Sequence, residues 1–349
     1  MDSITHAVVG AAIGQLALPP SIGKKRLILG AIIASLPDLD FIFYPFFGDL
    51  EELALHRTAS HSLLAILSIP IMVWIVCLYR QYRNRGLQGG VTPITWASFW
   101  WWCLFSHVAL DCFTTYGTGI YWPFSDKLIA LDNLFIVDPL LTVPLIICCW
   151  FILRKDEELS RRKAALISLL IGGIYIAFTL GSKSIGMTTF ENSLHQKNIA
   201  YEKLVTLPTN FNSILWRGIA KTSDGYYDGY FSVFDNDYNI EWQYTARNEH
   251  LLNQVKAPRL LDLLIWKMHD FYAVEKQGAS IVINDIRYGK LLGWLPSPYI
   301  FSYRLTPQSS GDISYVAETA KIDPRIAKNN FTQHFLPRLF GYKFQEPNH

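Results

Sequence analysis

Long apolar stretches, separated by short polar loops, fill the first half of the chain, whereas the second half mixes apolar, aromatic and charged positions. A bilayer core requires about 20 consecutive apolar residues in an α-helix. Residues 3–18 form a shorter apolar stretch rich in small side chains, which indicates a tightly packed helix or a partial span. Five further stretches carry few or no charges and have about the spanning length: 27–47, 62–79, 91–110, 133–153 and 164–182. The pattern predicts an α-helical integral membrane domain of five or six transmembrane helices over residues 1–182.

The second half, residues 183–349, has the pattern of a small soluble domain. Residues 229–245 alternate between apolar and polar positions on both sides of a turn signal, which predicts a hairpin. Residues 257–272 carry apolar positions at helical spacing. Two further segments, 280–284 and 299–305, have the composition of strands. We therefore expect a small α+β domain with an antiparallel sheet.

Composition supports the membrane assignment, because only 17% of the 349 residues are charged, against about 25% in soluble domains. The net charge of +2 comes without a basic patch interleaved with aromatics, so we expect no nucleic-acid partner. The sequence identifies no protein partner. All five cysteines lie in the apolar half, so the second domain needs no oxidative folding: Cys77, Cys103, Cys112, Cys148 and Cys149.

Basic residues predict the orientation in the membrane. Lys and Arg of the first half are concentrated in three loops: Lys24-Lys25-Arg26, Arg80 with Arg83 and Arg85, and Arg154-Lys155 with Arg161-Arg162-Lys163. These loops alternate consistently if all three are cytoplasmic, as the positive-inside rule requires. The N-terminus, the loops 48–61 and 111–133, and residues 183–349 are then extracytoplasmic. We expect a multi-pass protein of the plasma (inner) membrane.

Two histidines flank an arginine and two hydroxyl side chains in the segment His56-Arg57-Thr58-Ala59-Ser60-His61. Imidazole is the commonest metal ligand of proteins. On one α-helix His56 and His61 would lie about 140° apart, so they could not share a face. They converge only if His56 lies in the preceding loop and His61 in the first helical turn, with Thr58 or Ser60 as the N-cap.

Further metal-type ligands occur inside the apolar stretches, where an unpaired charge is costly and usually functional. Asp38 and Asp40 follow Pro37, which permits a break that could turn both carboxylates toward one cavity. His107 and Asp111 are four residues apart and share a helical face. Asp38 and Asp40 could instead form a packing salt bridge or a buried hydrogen-bonded pair, and His107 with Asp111 could be a lone polar pair near a helix end. With the predicted orientation, however, all four lie toward the outer side. The predicted metal ligands are His6, Asp38, Asp40, His56, His61, His107 and Asp111.

Histidine and carboxylate ligands without thiolate favour a divalent transition metal, Zn²⁺ first, with Mn²⁺ or Fe as alternatives. The number of candidates allows one or two ions. Such a site would activate water for hydrolysis. We assign Asp38 as general base or additional ligand, and Arg57 as the group that holds a phosphate or a developing oxyanion. The alternative for Arg57 is a surface arginine that snorkels to the headgroups.

At these residues the chain resembles the bacterial inner-membrane family of YdjM-like metal-dependent hydrolases. The matching segments lie within about residues 1–180: Asp2-Ser3-Ile4-Thr5-His6, Pro37-Asp38-Leu39-Asp40, His56 to His61 and His107-Val108-Ala109-Leu110-Asp111. More distantly, the His-x-x-x-Asp helix with scattered His and Asp ligands is similar to zinc-dependent phospholipase C. The resemblance implies metal-dependent hydrolysis at the membrane, and it names no substrate.

The sequence therefore predicts a membrane-bound hydrolase that acts at the outer face of the plasma membrane on a lipid-borne ester or phosphoester, by way of metal-activated water. Its expected partner is a membrane lipid or a lipid-linked substrate. Two alternatives stay open at this point. Intramembrane His and Asp also build metal or proton pathways, although the inner halves of these spans are nearly all apolar. The chain could also be a non-catalytic envelope scaffold with a structural metal.

Overall fold

The structure is a computed structural model that divides into two compact units, here called the first and second units. The first comprises Met1–Leu180 with Asn210–Asn212, and the second comprises Gly181–Thr209 with Ser213–His349. The structure describes residues 1–46, 54–83, 86–87, 90–307, 313–321 and 323–343.

The first unit is helical. Within the described residues, the 3₁₀ segments Pro20–Ile22, Leu36–Phe46 and Ala59–His61 lie between its first helices. The last helix, α6, continues into the second unit. The helices are α1 (Ser3–Ala17), α2 (Lys25–Ser35), α3 (Leu63–Tyr82), α4 (Pro93–Cys112), α5 (Pro139–Arg154) and α6 (Glu158–Gln196).

Two helices of the described residues, α3 and α6, are long and apolar enough to cross a membrane. Two others, α1 and α5, are apolar but shorter. The predicted number of five or six spans therefore stays a prediction. The stretch 27–47 is not one continuous α-helix, because α2 ends at Ser35 and the chain continues as the 3₁₀ segment Leu36–Phe46. Pro37, which lacks an N–H, lies at this change, as the sequence predicted.

Helix starts follow their capping residues. Asp2 accepts a hydrogen bond from Thr5 N at 2.9 Å and caps α1, and Asp138 accepts from Leu140 N at 3.0 Å and caps α5. The sequence predicted a helix with His61 in its first turn and Thr58 or Ser60 as its N-cap, and this capping is wrong: Thr58 precedes the 3₁₀ turn Ala59–His61 without a side-chain capping bond, and Ser60 lies inside that turn. His61 ends a separate 3₁₀ turn, and the extended residue Ser62 caps α3 through Ala65 N.

The close packing of α1 against α2 depends on glycine. A Cβ atom on Gly10 would overlap the carbonyl oxygen of Gly30, and one on Gly30 would overlap that of Gly10. Small residues of this kind let helix backbones approach closely in membrane proteins. Since α2 leads directly into the 3₁₀ segment Leu36–Phe46, this contact also sets the position of Asp38.

The second unit contains two four-stranded antiparallel sheets, in the orders β1-β2-β3-β4 and β5-β6-β7-β8, where the sequence predicted one sheet. The first sheet consists of β1 (Lys203–Pro208), β2 (Leu215–Lys221), β3 (Gly225–Ser232) and β4 (Gln243–Ala246). The second consists of β5 (Tyr272–Gln277), β6 (Ser280–Asp285), β7 (Phe301–Pro307) and β8 (Ile313–Thr319). The remaining helices are α7 (Pro258–Lys267), α8 (Pro324–Asn330) and α9 (Leu336–Leu339).

Alternation along β2 builds the core of the second unit. Trp216 packs with Phe190 and Phe231, and a Cβ on Gly218 would approach the Phe190 ring to 2.6 Å. Ile219, on the other face of the strand, belongs to a different apolar cluster. Each face of β2 is therefore buried, and neither carries metal-type ligands of the predicted set.

Candidate metal centre

Three segments of the first unit bring four metal-type side chains together. Asp38 comes from the 3₁₀ segment after α2, His61 ends the 3₁₀ turn before α3, and His107 and Asp111 lie one turn apart near the end of α4. One ligand atom from each lies within 4.8 Å of those of the other three. His61, His107 and Asp111 are fully buried, whereas the Asp38 side chain is 17% exposed. We call these four residues the metal centre.

The separations between the ligand atoms suit a single ion. His61 Nε2 lies 3.0 Å from His107 Nε2, and Asp111 Oδ2 lies 3.2 and 3.4 Å from these two nitrogens. Asp38 Oδ1 lies 3.6 and 3.5 Å from the same two nitrogens. Tetrahedral ligands at zinc distances of about 2.0–2.2 Å stand about 3.4 Å apart. The observed separations bracket that value.

Both imidazoles are oriented by hydrogen bonds on their outer nitrogens. His107 Nδ1 lies 2.6 Å from Ala34 O, and since a carbonyl only accepts, Nδ1 carries the proton. His61 Nδ1 lies 2.9 Å from Ser60 Oγ. Such outer partners leave the Nε2 lone pairs available toward the group of four, where they would hold a metal in the usual arrangement of histidine ligands.

Asp111 provides the test of whether the centre fits a cation. Its Oδ1 contacts the amino group of Met1, His6 Nε2 at 3.2 Å and Arg57 Nη1 at 3.4 Å. Its Oδ2 is buried and has no hydrogen-bond partner within the described ranges. A buried polar group without a hydrogen bond lowers the stability of the fold by about 1–3 kcal/mol, and a charged group such as a carboxylate by more. This oxygen faces the two Nε2 atoms, so a divalent cation fits the centre.

The other three predicted ligands lie beside the metal centre and outside the group of four. The His6 ring stacks on the His107 ring with a centroid distance of 3.7 Å. His56 Nδ1 is held by Asp40 Oδ2 at 3.1 Å, and its ring lies 6.2 Å from that of His61. Asp38 and Asp40 thus face different partners and do not converge on one point. Metal ligation by His6, Asp40 and His56 stays a prediction.

Arg57 is a buried residue of the site, with 4% of its surface exposed, which excludes the snorkelling alternative. Its backbone has a left-handed φ of 65°. Its Nη1 donates to Thr114 Oγ1 at 3.0 Å, and its guanidinium lies over the Tyr116 ring at 4.8 Å. Its Nε is buried without a hydrogen-bond partner in the described part of the chain. The guanidinium is therefore held rigidly while it retains a free donor.

Sequence reasoning missed two partners of Arg57, Thr114 and Tyr116. Both belong to the loop after α4, within the segment 111–133 that the sequence predicted to be extracytoplasmic. The loop is anchored to the histidine segment, because Gly119 N donates to Arg57 O at 2.7 Å and Leu63 N donates to Ile120 O at 2.9 Å. Their position three and five residues after Asp111 is the one signal that pointed to them.

The helical first unit, its candidate membrane helices and its buried His/Asp centre define an integral membrane protein with a candidate metal site. The YdjM inner membrane protein family model matches residues 1–184, more than half of the chain, and the chain belongs to this family. The predicted family resemblance is thereby confirmed. The matched region contains every residue of the metal centre.

Two relatives are similar to part of the chain. The inner membrane protein YbcI of Escherichia coli (strain K12) is 33% identical over 130 residues, which are 36% of this chain and 68% of YbcI. The uncharacterized protein YfhP of Bacillus subtilis (strain 168) is 30% identical over 153 residues, which are 41% of this chain and 43% of YfhP. The chain thus matches less than half the length of YfhP. No solved structure matches the chain.

Proposed function

We propose that this protein is a membrane-bound, metal-dependent hydrolase that cleaves a lipid-borne ester or phosphoester at the outer face of the plasma membrane. The observation that carries the proposal is the buried metal centre, in which Asp111 Oδ2 faces the two imidazole Nε2 atoms without a hydrogen bond in the described part of the chain. Beside it, Nε of buried Arg57 has no hydrogen-bond acceptor among the described residues. A cation site beside a fixed cationic donor is an arrangement that stabilises the charge that develops when a phosphoester is hydrolysed.

Asp38, His61, His107 and Asp111 would hold the metal. Two imidazoles and two carboxylates favour Zn²⁺, with Mn²⁺ or Fe as the alternatives, and the group of four suits one ion. A second ion would have to draw on the neighbouring Asp40 and His56. When bound, the metal supplies Lewis acidity and a water molecule whose pKa is lowered toward about 7.

The chain's own side chains supply the remaining functions. Arg57 binds an anionic oxygen of the substrate, because Thr114 and Tyr116 fix its guanidinium while Nε is left to donate. Asp38 is the one partly exposed member of the metal centre, so substrate and water approach from its side. Its Oδ1 lies 3.6 and 3.5 Å from the imidazole Nε2 atoms, and we assign this carboxylate as general base or additional ligand.

The position of the centre along the membrane helices supports a lipid substrate. It lies at the N-terminal end of α3 and the C-terminal end of α4, and the adjoining loop exposes Tyr121, Trp122 and Phe124. Aromatic side chains of this kind gather at the headgroup level. We propose a multi-pass topology of five or six spans, with the basic loops cytoplasmic and the centre and second unit extracytoplasmic, as the positive-inside rule favours.

The test begins with metal analysis of detergent-purified protein. Wild type is compared with His61→Ala/His107→Ala and with the matched control His195→Ala/His250→Ala, which removes two exposed histidines of the second unit. We expect about one transition-metal ion per chain in wild type and in the control, and its loss in the first variant. Phospholipids and isoprenoid phosphates are then assayed with the same three proteins.

Two results would contradict the proposal. Equal metal content in all three proteins would remove the metal centre as the binding site. Full metal content without hydrolysis of any lipid ester or lipid phosphate would assign the ion a structural role.

A further inference from the structure

Four helix ends meet at the end of the first unit opposite the metal centre. They are the C-termini of α1 and α5 and the N-termini of α2 and α6, joined by one apolar cluster that includes Ala12, Leu27, Ile152 and Ala165. His6 and Gln15 are nine residues apart on α1, which places these ends about 14 Å from the metal centre. Whatever these ends bind is therefore separate from the proposed hydrolytic site.

Two buried arginines lie among these helix ends. Arg26 is fully buried, donates to Leu18 O at 3.1 Å and forms an ion pair with Glu158. Arg161 is 7% exposed, and its Nη1 lies 3.9 Å from the same carboxylate. Gln15 Nε2 also donates to Glu158, at 3.3 Å. One carboxylate therefore serves two guanidinium groups and an amide.

Several donors of this cluster have no acceptor. Arg26 Nε, Arg161 Nε and Arg161 Nη2 are buried without a hydrogen-bond partner among the residues that the structure describes. Burying a charged donor without a partner is costly, so such groups are normally satisfied by a counter-ion. Glu158 can neutralise only one of the two guanidinium charges, and the two helix ends with their connecting segments are strongly basic overall. Within 24–26 and 154–163 there are eight basic residues (Lys24, Lys25, Arg26, Arg154, Lys155, Arg161, Arg162, Lys163) and three acidic ones (Asp156, Glu157, Glu158).

We propose that Arg26 and Arg161 form a binding site for a phosphate-type anion, either the phosphate of an anionic phospholipid or inorganic phosphate. Guanidinium groups match the geometry of phosphate oxygens. The N-termini of α2 and α6 add their positive dipole ends at the same place. Basic pockets between membrane helices are the usual sites for anionic headgroups.

The test is thermal unfolding of the full-length protein in detergent micelles, followed by tryptophan fluorescence. One arm compares added phosphatidylglycerol with phosphatidylcholine, and the other compares inorganic phosphate with chloride at equal ionic strength. We expect a saturable rise in Tm with the anionic member of at least one pair, as binding to the folded state requires. A response to phosphatidylglycerol alone assigns the site to a lipid headgroup, and a response to phosphate alone assigns it to the free ion.

Variants locate the site. Arg161→Gln should weaken the response by about tenfold or more in apparent affinity, whereas Lys163→Gln, an exposed neighbour on α6, should respond like wild type. Arg161→Lys keeps the charge but loses the planar fork, so its affinity should fall between the two. An undiminished response in Arg161→Gln would overturn the proposal. If Arg161→Gln does not fold, wild type decides, since equal Tm values within both pairs would overturn the proposal as well.

Discussion

Replacing Asp38 and Asp40 separately tests whether only the first of these two neighbouring carboxylates binds the metal. Asp38 Oδ1 lies 3.5 Å from His107 Nε2 in the metal centre, whereas Asp40 holds the Nδ1 of His56. Asp38→Asn should therefore weaken metal binding strongly. Asp40→Asn, a change of the same chemistry two residues away, should alter the metal dissociation constant by less than about threefold, because Asp40 contributes no atom to the group of four.

The size of the effect follows from the loss of a charged ligand. Removing only an outer hydrogen-bond partner of a ligand costs about 10–100-fold in affinity. Loss of one of four ligands should reach at least about 100-fold, or about 2.8 kcal/mol. At a free metal concentration 100 times the wild-type Kd, binding adds about 2.7 kcal/mol to the free energy of unfolding of wild type. The variant then retains about 0.4 kcal/mol of that stabilisation.

The assay is competition with a chelator of known affinity, supported by the Tm at fixed free zinc. The difference of about 2.3 kcal/mol corresponds to a Tm lower by about 3 °C in Asp38→Asn, and addition of chelator should abolish the difference from wild type. Equal loss of metal affinity in Asp38→Asn and Asp40→Asn would refute the assignment of Asp38 alone to the metal centre. It would indicate that both carboxylates bind metal, as the sequence alone had suggested.

Three further predictions concern other parts of the chain. Gly10→Val should lower the free energy of unfolding by about 1–3 kcal/mol or prevent folding, because its Cβ overlaps α2. Gly173→Val, which has open space around it, should leave the Tm unchanged. Equal Tm values for the two variants would contradict the close packing of α1 against α2. Arg57→Lys should lower kcat/KM for a phosphoester by about 100-fold at full metal content, and unchanged kinetics would remove Arg57 from substrate binding. Burial and nearby cationic groups lower the pKa of His269 from 6.5 to about 3, so the unfolded state alone takes up this proton as the pH falls. The stability that neutral His269 contributes is thus present above pH 6.5 and is lost as the pH falls toward 3. His269→Asn should therefore flatten the dependence of Tm on pH in that window, compared with His250→Asn, a control at an exposed site. Parallel curves of Tm against pH for the two variants would contradict this prediction.

The packing between segments explains why only part of the metal centre could be derived from the sequence. His107 and Asp111 share a helical face, so their proximity follows from the spacing alone. Asp38 and Asp40 are two residues apart, and the sequence predicted that a break at Pro37 turns both toward one cavity. The 3₁₀ segment Leu36–Phe46 instead directs Asp38 to the imidazoles and Asp40 to His56.

The N-cap of α3 and the burial of Arg26 and Arg161 also could not be derived from the sequence. Thr58, Ser60 and Ser62 are all acceptable N-caps by residue type, and only the end of the 3₁₀ turn at His61 selects Ser62. The topology rule explained Arg26 and Arg161 as loop charges. Their burial arises only when four helix ends come together.

The sequence by itself determined the properties that depend on order along the chain. These are the apolar character of the first half, the mixed character of the second half, the family, and the kinds of side chain available to bind a metal. They follow from the sequence because the length of an apolar segment and the polar residues within it can be read without the tertiary structure. Tertiary structure alone decided which of seven candidate ligands converge, and that Thr114 and Tyr116 hold Arg57. Those contacts join residues distant along the chain, and their distances are set by how closely helices such as α1 and α2 can pack.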